Sequence, residues 1–177
     1  MKIKNIFSDV LYIEPKNHND ERGFFRENFN FRDLKEKKIL FNSVQDNFSS
    51  SKKKGTIRGL HFQTPPYEQS KIIYVISGEI FDVFVDLRKN SKNYGKYSSM
   101  ILSEDSGFLL IPRGFAHGFC TLKDNTKVMY KVDNYYNKES DSGIIWNDSF
   151  LNIDWPKLNT PFLISQKDKN LNFFNSL

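Results

Sequence analysis

The sequence has little cysteine and no long apolar runs. Cys120 is the only cysteine among 177 residues, so no intrachain disulfide can form and a reducing compartment is the simplest expectation. No segment approaches the roughly 18 apolar residues that a membrane-spanning helix needs, and the first 15 residues lack the continuous apolar stretch of a signal peptide. These absences predict a cytoplasmic protein with no membrane partner.

Long charged runs, internal repeats and low-complexity linkers are also absent. The formal net charge is +5 and the pI is about 9.1, but the longest basic run is only Lys52-Lys53-Lys54. A basic arm that binds nucleic acid is longer, so the charge indicates a lysine-rich surface without a nucleic-acid partner. Such a surface can still attract a small molecule that carries phosphate. Because glycine and proline are scattered, we expect one domain over residues 1–177.

Aromatic residues are abundant, with 17 Phe, 8 Tyr and 2 Trp, and flat rings pack well on the pleated surface of a strand. The best helix candidate is NFRDLKEKKIL, in which Asn30 is placed to cap the first turn. In KIIYVISGEIFDVFVDL, Ser77-Gly78 predicts the turn of a hairpin with one strongly apolar face. We predict an all-β antiparallel jelly roll with a few short peripheral helices. Its predicted strands are DVLYIE, GFFRENFN, NSVQDNFS, TIRGLHFQ, KIIYVISGEIFDVFVDL, SSMILSE, GFLLIP and KVMYKVDNYY.

The segment TIRGLHFQ places one of the three histidines, His61, on a predicted strand. Arg58 precedes it by three residues and Lys71 follows it by ten. An imidazole can act as a base near neutral pH, a guanidinium fork suits phosphate, and an ammonium can stabilise a developing oxyanion. Together they suit removal of a proton next to a ketone, which yields an enolate. The alternative is a histidine packed in a β core, and strand position alone does not separate the two.

A metal site is a competing interpretation of the same region. GTIRGLHFQTPPYE and IPRGFAHG resemble the two metal-binding motifs of cupin jelly rolls. The corresponding positions are Gly55, His61, Gln63, Glu68 and His117. Gln63 stands where those cupins have a second histidine, and a neutral amide is a weaker ligand for a transition metal than imidazole. We therefore expect no metal, and a metal-dependent cupin oxygenase is the alternative.

A narrower resemblance covers nearly the whole chain. The chain contains, in this order, the segments ERGFFRE, QDNFS, RGLHFQ, GEIFDVFVDLRKNS, IPRGFAHGF, YKVDNYY, GIIWND and IDWP. Their order, and nearly their spacing, resemble those of the dTDP-4-dehydrorhamnose 3,5-epimerase family. The resemblance implies a metal-free cupin-type jelly roll, normally a homodimer. It also implies epimerisation of a nucleotide-linked 4-keto-6-deoxy sugar without any cofactor, in the synthesis of surface polysaccharide.

The resemblance also assigns four catalytic roles. His61 is the base that removes protons beside the carbon 4 ketone, and Asp168 orients this histidine. Lys71 stabilises the enolate oxygen, and Tyr130 delivers a proton from the opposite face of the sugar. Two groups are needed because a base and an acid on one side would return the proton to the place from which it came.

The remaining residues that the resemblance assigns bind the sugar, pyrophosphate or nucleoside, and Arg22 among them is expected to reach the partner's site. The chain departs from the family at Phe48, where the family usually has histidine, and at Asp141, which is shorter than the usual glutamate contact to the nucleotide. The nucleoside and the sugar therefore stay open: a GDP-linked 4-keto heptose, inversion of carbon 3 or carbon 5 alone, and a sugar-binding module without catalysis are alternatives. The binding residues are Arg22, Glu27, Gln45, Asp46, Asn47, Arg58, His117, Asp141 and Lys167.

Overall fold

Strands dominate the computed structural model, which describes residues 1–177, and its helices are short. The helices are α1 (Phe31–Glu36), α2 (Gln166–Lys169) and a 3₁₀ turn at Phe174–Ser176. The strands are β1 (Lys2–Phe7), β2 (Val10–Glu14), β3 (His18–Asp20), β4 (Gly23–Phe25), β5 (Gln45–Ser51), β6 (Thr56–Gln63), β7 (Lys71–Ser77), β8 (Glu79–Asp86), β9 (Tyr97–Ser103), β10 (Phe108–Ile111), β11 (Phe115–Thr121), β12 (Thr126–Val132), β13 (Asp141–Gly143) and β14 (Leu163–Ile164).

Two sheets form the body of the molecule. The first has the strand order β1-β2-β10-β7-β12-β5, and all of its pairs are antiparallel. The second has the order β13-β6-β11-β8-β9, again antiparallel, with β14 added to β6 as a parallel strand. The prediction of an all-β fold with few short peripheral helices is confirmed. None of these short helices has the length and apolar content that a membrane-spanning helix requires.

The predicted hairpin at Ser77-Gly78 is wrong. β7 pairs with β10 and β12 in the first sheet, whereas β8 pairs with β11 and β9 in the second, so the turn carries the chain between sheets. Gly78 has φ +88°, and a Cβ there would lie 2.5 Å from the Thr126 hydroxyl, so only glycine fits this corner. The expectation of one apolar face on β8 also fails, because Phe84 and Val85 point to opposite faces and both are buried.

Three apolar clusters bury the inner faces of both sheets and part of their outer faces. The first lies between the sheets and joins residues such as Ile73 and Val128 to Phe84 and Phe119. A second covers the outer face of the second sheet with residues from the C-terminal segment, including Trp155. The third covers part of the outer face of the first sheet with the segment that contains α1. Polar side chains between the sheets therefore lie next to an apolar interior, so their positions indicate where a functional site can be.

The helix predicted in NFRDLKEKKIL is confirmed, although it is shorter than the pattern. The Asn30 side chain accepts hydrogen bonds from the backbone N–H groups of Arg32 and Asp33, as an N-cap does. The helix buries only Leu34, which packs on the outer face of the first sheet. One buried residue is enough to dock a short helix but not to extend it.

A short hairpin of β3 and β4 stands apart from both sheets. Its strands pair only with each other, and all six of their residues are exposed. Phe25 at its end is 73% exposed, and Phe24 is also exposed. The predicted strand GFFRENFN is thus ordered as a strand only over Gly23–Phe25. Two exposed phenylalanines on a projecting hairpin are unusual for a surface that meets only water.

Candidate active site

A cavity of about 680 Å³ lies between the two sheets. It is near β5, the edge strand of the first sheet, and near β6, which is next to the edge strand β13 of the second. Its walls come from β5, β6, β7, β11, β12, β13 and the segment Leu163–Asp168. Ten of the thirteen residues that the sequence singles out line this one cavity. These are Gln45, Asn47, Arg58, His61, Lys71, His117, Tyr130, Asp141, Lys167 and Asp168.

His61 and Asp168 form a hydrogen-bonded pair in the cavity. Nε2 of His61 lies 3.0 Å from Oδ1 of Asp168, and the backbone N–H of Gly59 donates to Oδ2 at 3.0 Å. Gly59 has φ +110°, and a Cβ there would lie 2.6 Å from the carbonyl oxygen of His117. Glycine at this position thus lets β6 approach β11 and turns its N–H toward the carboxylate.

The charge of Asp168 determines which imidazole nitrogen is free. Burial raises the pKa of the Asp168 carboxyl, but hydrogen bonds from His61, from the Gly59 N–H and from Ser165 outweigh it, and the pKa lies below its usual value. An ionised carboxylate only accepts hydrogen bonds, so Nε2 of His61 carries the proton. Nδ1 is then the nitrogen with a lone pair, and the His61 side chain is about one-third exposed to the cavity.

Lys71 is held directly beside the strand that carries His61. Its ammonium donates to the His61 carbonyl oxygen at 3.3 Å, and its side chain is buried. Burial lowers the pKa of this ammonium to about 8, although the negative charges of Asp141 and Asp82 oppose the shift. No salt bridge neutralises Lys71, so its positive charge is available to an oxygen that becomes negative.

A second imidazole–carboxylate pair lies in the same region. Nε2 of His117 is 2.8 Å from Oδ2 of Asp82, and both side chains are buried. Burial raises the pKa of Asp82, while the neighbouring charges of His117 and Lys71 oppose the shift. Oδ1 of Asp82 has no hydrogen-bond partner. The sequence analysis missed Asp82, although an acidic residue inside the apolar run EIFDVFVD was a usable signal.

Tyr130 faces the histidines from the other sheet. It lies on β12 of the first sheet, whereas His61 is on β6 of the second, and both line the cavity between them. Burial raises the pKa of the Tyr130 phenol, and the positive charge of Arg58 opposes this shift only in part. The phenol is therefore protonated at neutral pH, and its hydroxyl has no hydrogen-bond partner within the chain.

Polar side chains at the cavity mouth hold one another in place. Asp141 accepts hydrogen bonds from the Lys167 ammonium and the Tyr136 hydroxyl. The Gln45 amide donates to the Asn47 side chain at 2.8 Å and accepts from the Tyr136 backbone N–H at 3.1 Å. The mouth is thus lined by amides, a phenol and one ion pair, which suit a polar ligand.

Three predicted binding residues lie away from the cavity of their own chain. Arg22 is on the exposed β3–β4 hairpin and pairs with Asp20. Glu27 accepts a hydrogen bond from Asn30. Asp46 points to the outer face of β5, because its neighbours Gln45 and Asn47 point into the cavity, and it pairs with Lys131 on β12. Their assignment to the site stays a prediction.

His61 and His117 are neighbours on paired strands in the cavity, but the other two donors of the metal alternative do not join them as ligands. The Gln63 side-chain amide donates to the carbonyl oxygens of Tyr67 and Tyr135, and its oxygen accepts from the Asn137 N–H, so it fastens two loops. Glu68 does not line the cavity. No group of three or more His, Cys, Asp or Glu side chains is arranged to hold a metal ion. The residues present therefore do not form the cupin metal centre.

Comparison with known proteins decides the family. The model of the dTDP-4-dehydrorhamnose 3,5-epimerase family matches residues 4–176. The chain belongs to this family. It is 48% identical to the dTDP-4-dehydrorhamnose 3,5-epimerase of Shigella flexneri, over 95% of this chain and 92% of that protein. The corresponding enzyme of Escherichia coli K12 is 45% identical, over 96% of this chain and 91% of that protein.

Solved epimerase structures share the fold. A structure from Bacillus anthracis, with TDP and PPi bound, has a TM-score of 0.91 at 47% identity and covers 98% of this chain and 100% of that one. A Legionella pneumophila structure, in complex with dTDP-4-keto-L-rhamnose, has a TM-score of 0.92 at 42% identity, with coverage of 98% and 93%. The predictions of a cupin-type jelly roll and of an isomerase are confirmed.

The two departures from the epimerase family pattern have different consequences. Phe48 lies on the outer face of β5 and is 62% exposed, so it does not change the cavity of its own chain. Asp141 does line the cavity, where it is held by Lys167 and Tyr136. Asp141, where the family usually has glutamate, therefore changes the polar mouth of the cavity and forms no hydrogen bond with His61 or His117.

Proposed function

We propose that this epimerase inverts carbons 3 and 5 of a dTDP-linked 4-keto-6-deoxy sugar through enolate intermediates, without a cofactor. The observation that carries the proposal is the arrangement of His61 and Tyr130. They line one cavity from opposing sheets, with Asp168 bonded to the imidazole and Lys71 beside it. A base and an acid that face each other across a sugar ring are what inversion requires.

In the proposed reaction, Nδ1 of His61 takes the proton from the carbon next to the ketone. The electron pair of the broken C–H bond forms a carbon–carbon double bond, and the carbonyl electrons move to the oxygen, where Lys71 stabilises the negative charge. Tyr130 then donates its phenolic proton to the opposite face of the same carbon while the carbonyl re-forms. Proton exchange with solvent restores both groups, and the same steps at the second carbon complete the epimerisation.

Asp168 acts through His61 in this scheme. Its carboxylate holds the ring by the 3.0 Å bond to Nε2 and stabilises the imidazolium that forms on proton abstraction. The Gly59 N–H and the Ser165 hydroxyl fix the aspartate in turn, through its side chain and its backbone. Asp168 is thus a positioning residue, whereas His61, Lys71 and Tyr130 touch the reacting sugar.

The relatives support a dTDP-linked substrate. The Bacillus anthracis protein was crystallised with TDP, and the Legionella pneumophila protein with dTDP-4-keto-L-rhamnose. A 3'-monoepimerase from Streptomyces bikiniensis, crystallised with dTDP-quinovose, is only 26% identical but has a TM-score of 0.85. The fold alone therefore does not determine whether the enzyme inverts one sugar carbon or two. The higher sequence identity to the 3,5-epimerases favours inversion of both carbons.

Incubating the protein with dTDP-4-keto-6-deoxyglucose in heavy water tests the proposal. We expect solvent deuterium at carbons 3 and 5, because each proton is removed by one group and replaced from another that exchanges with water. Nuclear magnetic resonance of the sugar, followed over time, measures incorporation at each carbon. Deuterium at one carbon alone would select a single-carbon epimerase, and its absence from both would end the proposal.

We also propose that the protein is a homodimer in which Arg22 serves the partner's cavity. The β3–β4 hairpin projects from the body and exposes Phe24 and Phe25, and Arg22 lies outside the cavity of its own chain. The outer face of the first sheet exposes Phe48 and Ile76. Burying these apolar side chains against a second copy would remove them from water and place Arg22 where it is otherwise missing.

Mixing two inactive variants tests this arrangement. R22A and H61A chains, unfolded and refolded together, should recover about a quarter of the natural activity, since half of the dimers are mixed and each holds one intact site. Activity is measured as deuterium incorporation, and sedimentation gives the oligomeric state. Refolding each variant alone is the control. A mixture no more active than the mean of its parents would show that Arg22 does not act across the interface.

A further inference from the structure

Residues 133–140 cross from one sheet to the other at the mouth of the cavity, and we call them the bridging segment. They follow β12, the strand of the first sheet that carries Tyr130, and end at β13, which pairs with β6 of the second sheet. The register of that pair places Gly143 opposite His61. The bridging segment thus connects the strand of the proposed acid to the neighbour of the strand that carries the proposed base.

Gln63 fastens the bridging segment to the second sheet. Its side-chain nitrogen donates to the carbonyl oxygens of Tyr67 and, at 3.2 Å, Tyr135, and its side-chain oxygen accepts from the Asn137 N–H at 2.7 Å. Gln63 is buried and follows His61 by two residues on β6, so the two side chains lie on the same face of the strand. The amide that holds the segment is therefore a neighbour of the base.

The first sheet holds the same segment from the other side. The side-chain oxygen of Gln45, on β5, accepts a hydrogen bond from the Tyr136 N–H at 3.1 Å. Tyr136 lies between the two residues of the segment that Gln63 holds, Tyr135 and Asn137. Two glutamine side chains, one from each sheet, therefore tie the same stretch of backbone.

Apolar packing does not set the distance between β6 and the first sheet. The apolar cluster between the sheets contains residues of β2 and of β7 to β12, but none of β5 or β6. The buried apolar residues of β6, Ile57 and Leu60, belong to the cluster on the outer face of the second sheet. Polar contacts fix this separation instead: the bridging segment, and the bond from Lys71 to the His61 carbonyl oxygen.

We propose that Gln63 is a positioning residue that sets, through the bridging segment, the separation of His61 and Tyr130 across the cavity. The role rests on the proposed function for what those two side chains do. An amide suits the task, because it donates two hydrogen bonds and also accepts, whereas a neutral histidine donates only one and a carboxylate none. The position that ligates metal in metal-binding cupins therefore holds backbone in this chain.

Releasing the bridging segment should affect the two proton transfers unequally. Abstraction uses His61, with Asp168 bonded to its ring and Lys71 bonded to its carbonyl oxygen, and none of these contacts involves Gln63. Donation needs Tyr130 at the right distance from the opposing sheet. A wider gap therefore slows delivery of the proton to the opposite face of the sugar more than it slows abstraction, and a proton returned from the base side restores the original configuration.

The Q63M variant tests the proposal, because methionine has a similar length and forms none of the three hydrogen bonds. Tyr67 and Tyr135 are exposed residues, so water can reach their carbonyl oxygens and the fold should persist. With saturating dTDP-4-keto-6-deoxyglucose in heavy water, we expect inversion to slow about tenfold more than deuterium exchange, since misplacing a catalytic group by about 1 Å costs about 10²-fold. Chromatography of the epimers and mass spectrometry of the same samples measure the two rates.

T126V is the matched control. The buried Thr126 hydroxyl donates to the Lys123 carbonyl oxygen at 2.8 Å, outside the cavity but on the strand that carries Tyr130. This variant also loses a bond from a buried side chain to the backbone, but it leaves the bridging segment intact. Partial unfolding lowers exchange and inversion by the same factor, so the ratio of the two rates should equal that of the natural chain.

An unchanged ratio of exchange to inversion in Q63M would overturn the proposal, even if both rates fell, and so would an equal change of the ratio in T126V. If Q63M does not fold, Q69L decides in the same way, because the Gln69 amide donates to the Asn134 carbonyl oxygen of the bridging segment at 2.8 Å. The proposed function fails separately, if the natural chain exchanges no deuterium into the sugar. Amide hydrogen exchange of the bridging segment, which needs no turnover, should be faster in Q63M, and an unchanged rate would also overturn the proposal.

Discussion

Replacing His61 with glutamine should reduce deuterium exchange at both sugar carbons by about 10³-fold, because the group that removes the protons is lost. Glutamine can still donate a hydrogen bond toward Asp168, which keeps the Gly59 N–H as its second partner. The buried carboxylate is therefore not left unpaired, and the variant should fold. Loss of activity then reports the missing base and not a collapsed site.

Exchange rates from nuclear magnetic resonance and the thermal midpoint of unfolding separate these effects. We expect an unchanged midpoint in H61Q, together with the loss of exchange at carbons 3 and 5 alike. K89Q, at an exposed lysine outside the cavity and outside the β3–β4 hairpin, is the control and should leave exchange unchanged. Residual exchange within tenfold of the natural rate would assign the base to another group.

The fold class could be predicted from the sequence because each strand has its own local signal, which is a short segment rich in aromatic residues or with apolar and polar residues in alternation. Strand pairing could not, as the turn at Ser77-Gly78 illustrates. A two-residue turn between apolar segments has the pattern of a hairpin, yet here the chain crosses from one sheet to the other. The deciding factor is the burial of both faces of β8, which depends on the distant residue Trp155 and its neighbours. Such packing leaves no signal in a short window.

The candidate site could be predicted further than the fold, because family motifs fix residue types that physics alone would not distinguish. Nothing in its local sequence separates Tyr130 from a core tyrosine, and only the resemblance drew attention to it. Asp82 was missed although it lies in the quoted segment GEIFDVFVDLRKNS, because the resemblance assigned it no role. Its bond to His117 is evident only from the structure. Lys52 and Lys53 were interpreted as surface charge, since a sequence does not reveal that both residues line the cavity.

Removing the Tyr130 hydroxyl should separate proton abstraction from inversion. In Y130F the base, its aspartate and Lys71 are intact, so abstraction continues and deuterium still enters the sugar. The proton that returns then comes from the base side and restores the original configuration. We expect deuterium exchange within about tenfold of the natural rate and inversion slowed by about 10²- to 10³-fold, the range of a lost general acid.

The substitution suits this comparison because the Tyr130 hydroxyl has no hydrogen-bond partner within the chain, so no protein group is left unpaired. Y94F is the matched control: Tyr94 packs on Phe174 outside the cavity, and its loss of a hydroxyl should change neither exchange nor inversion. Chromatographic separation of the sugar-nucleotide epimers measures inversion, and mass spectrometry of the same samples measures deuterium. A parallel loss of exchange and inversion in Y130F would mean that abstraction also needs the phenol, whereas unchanged inversion would place the acid elsewhere. If two groups act from opposing sheets, Y130F must still exchange deuterium into the sugar while its rate of inversion is strongly reduced.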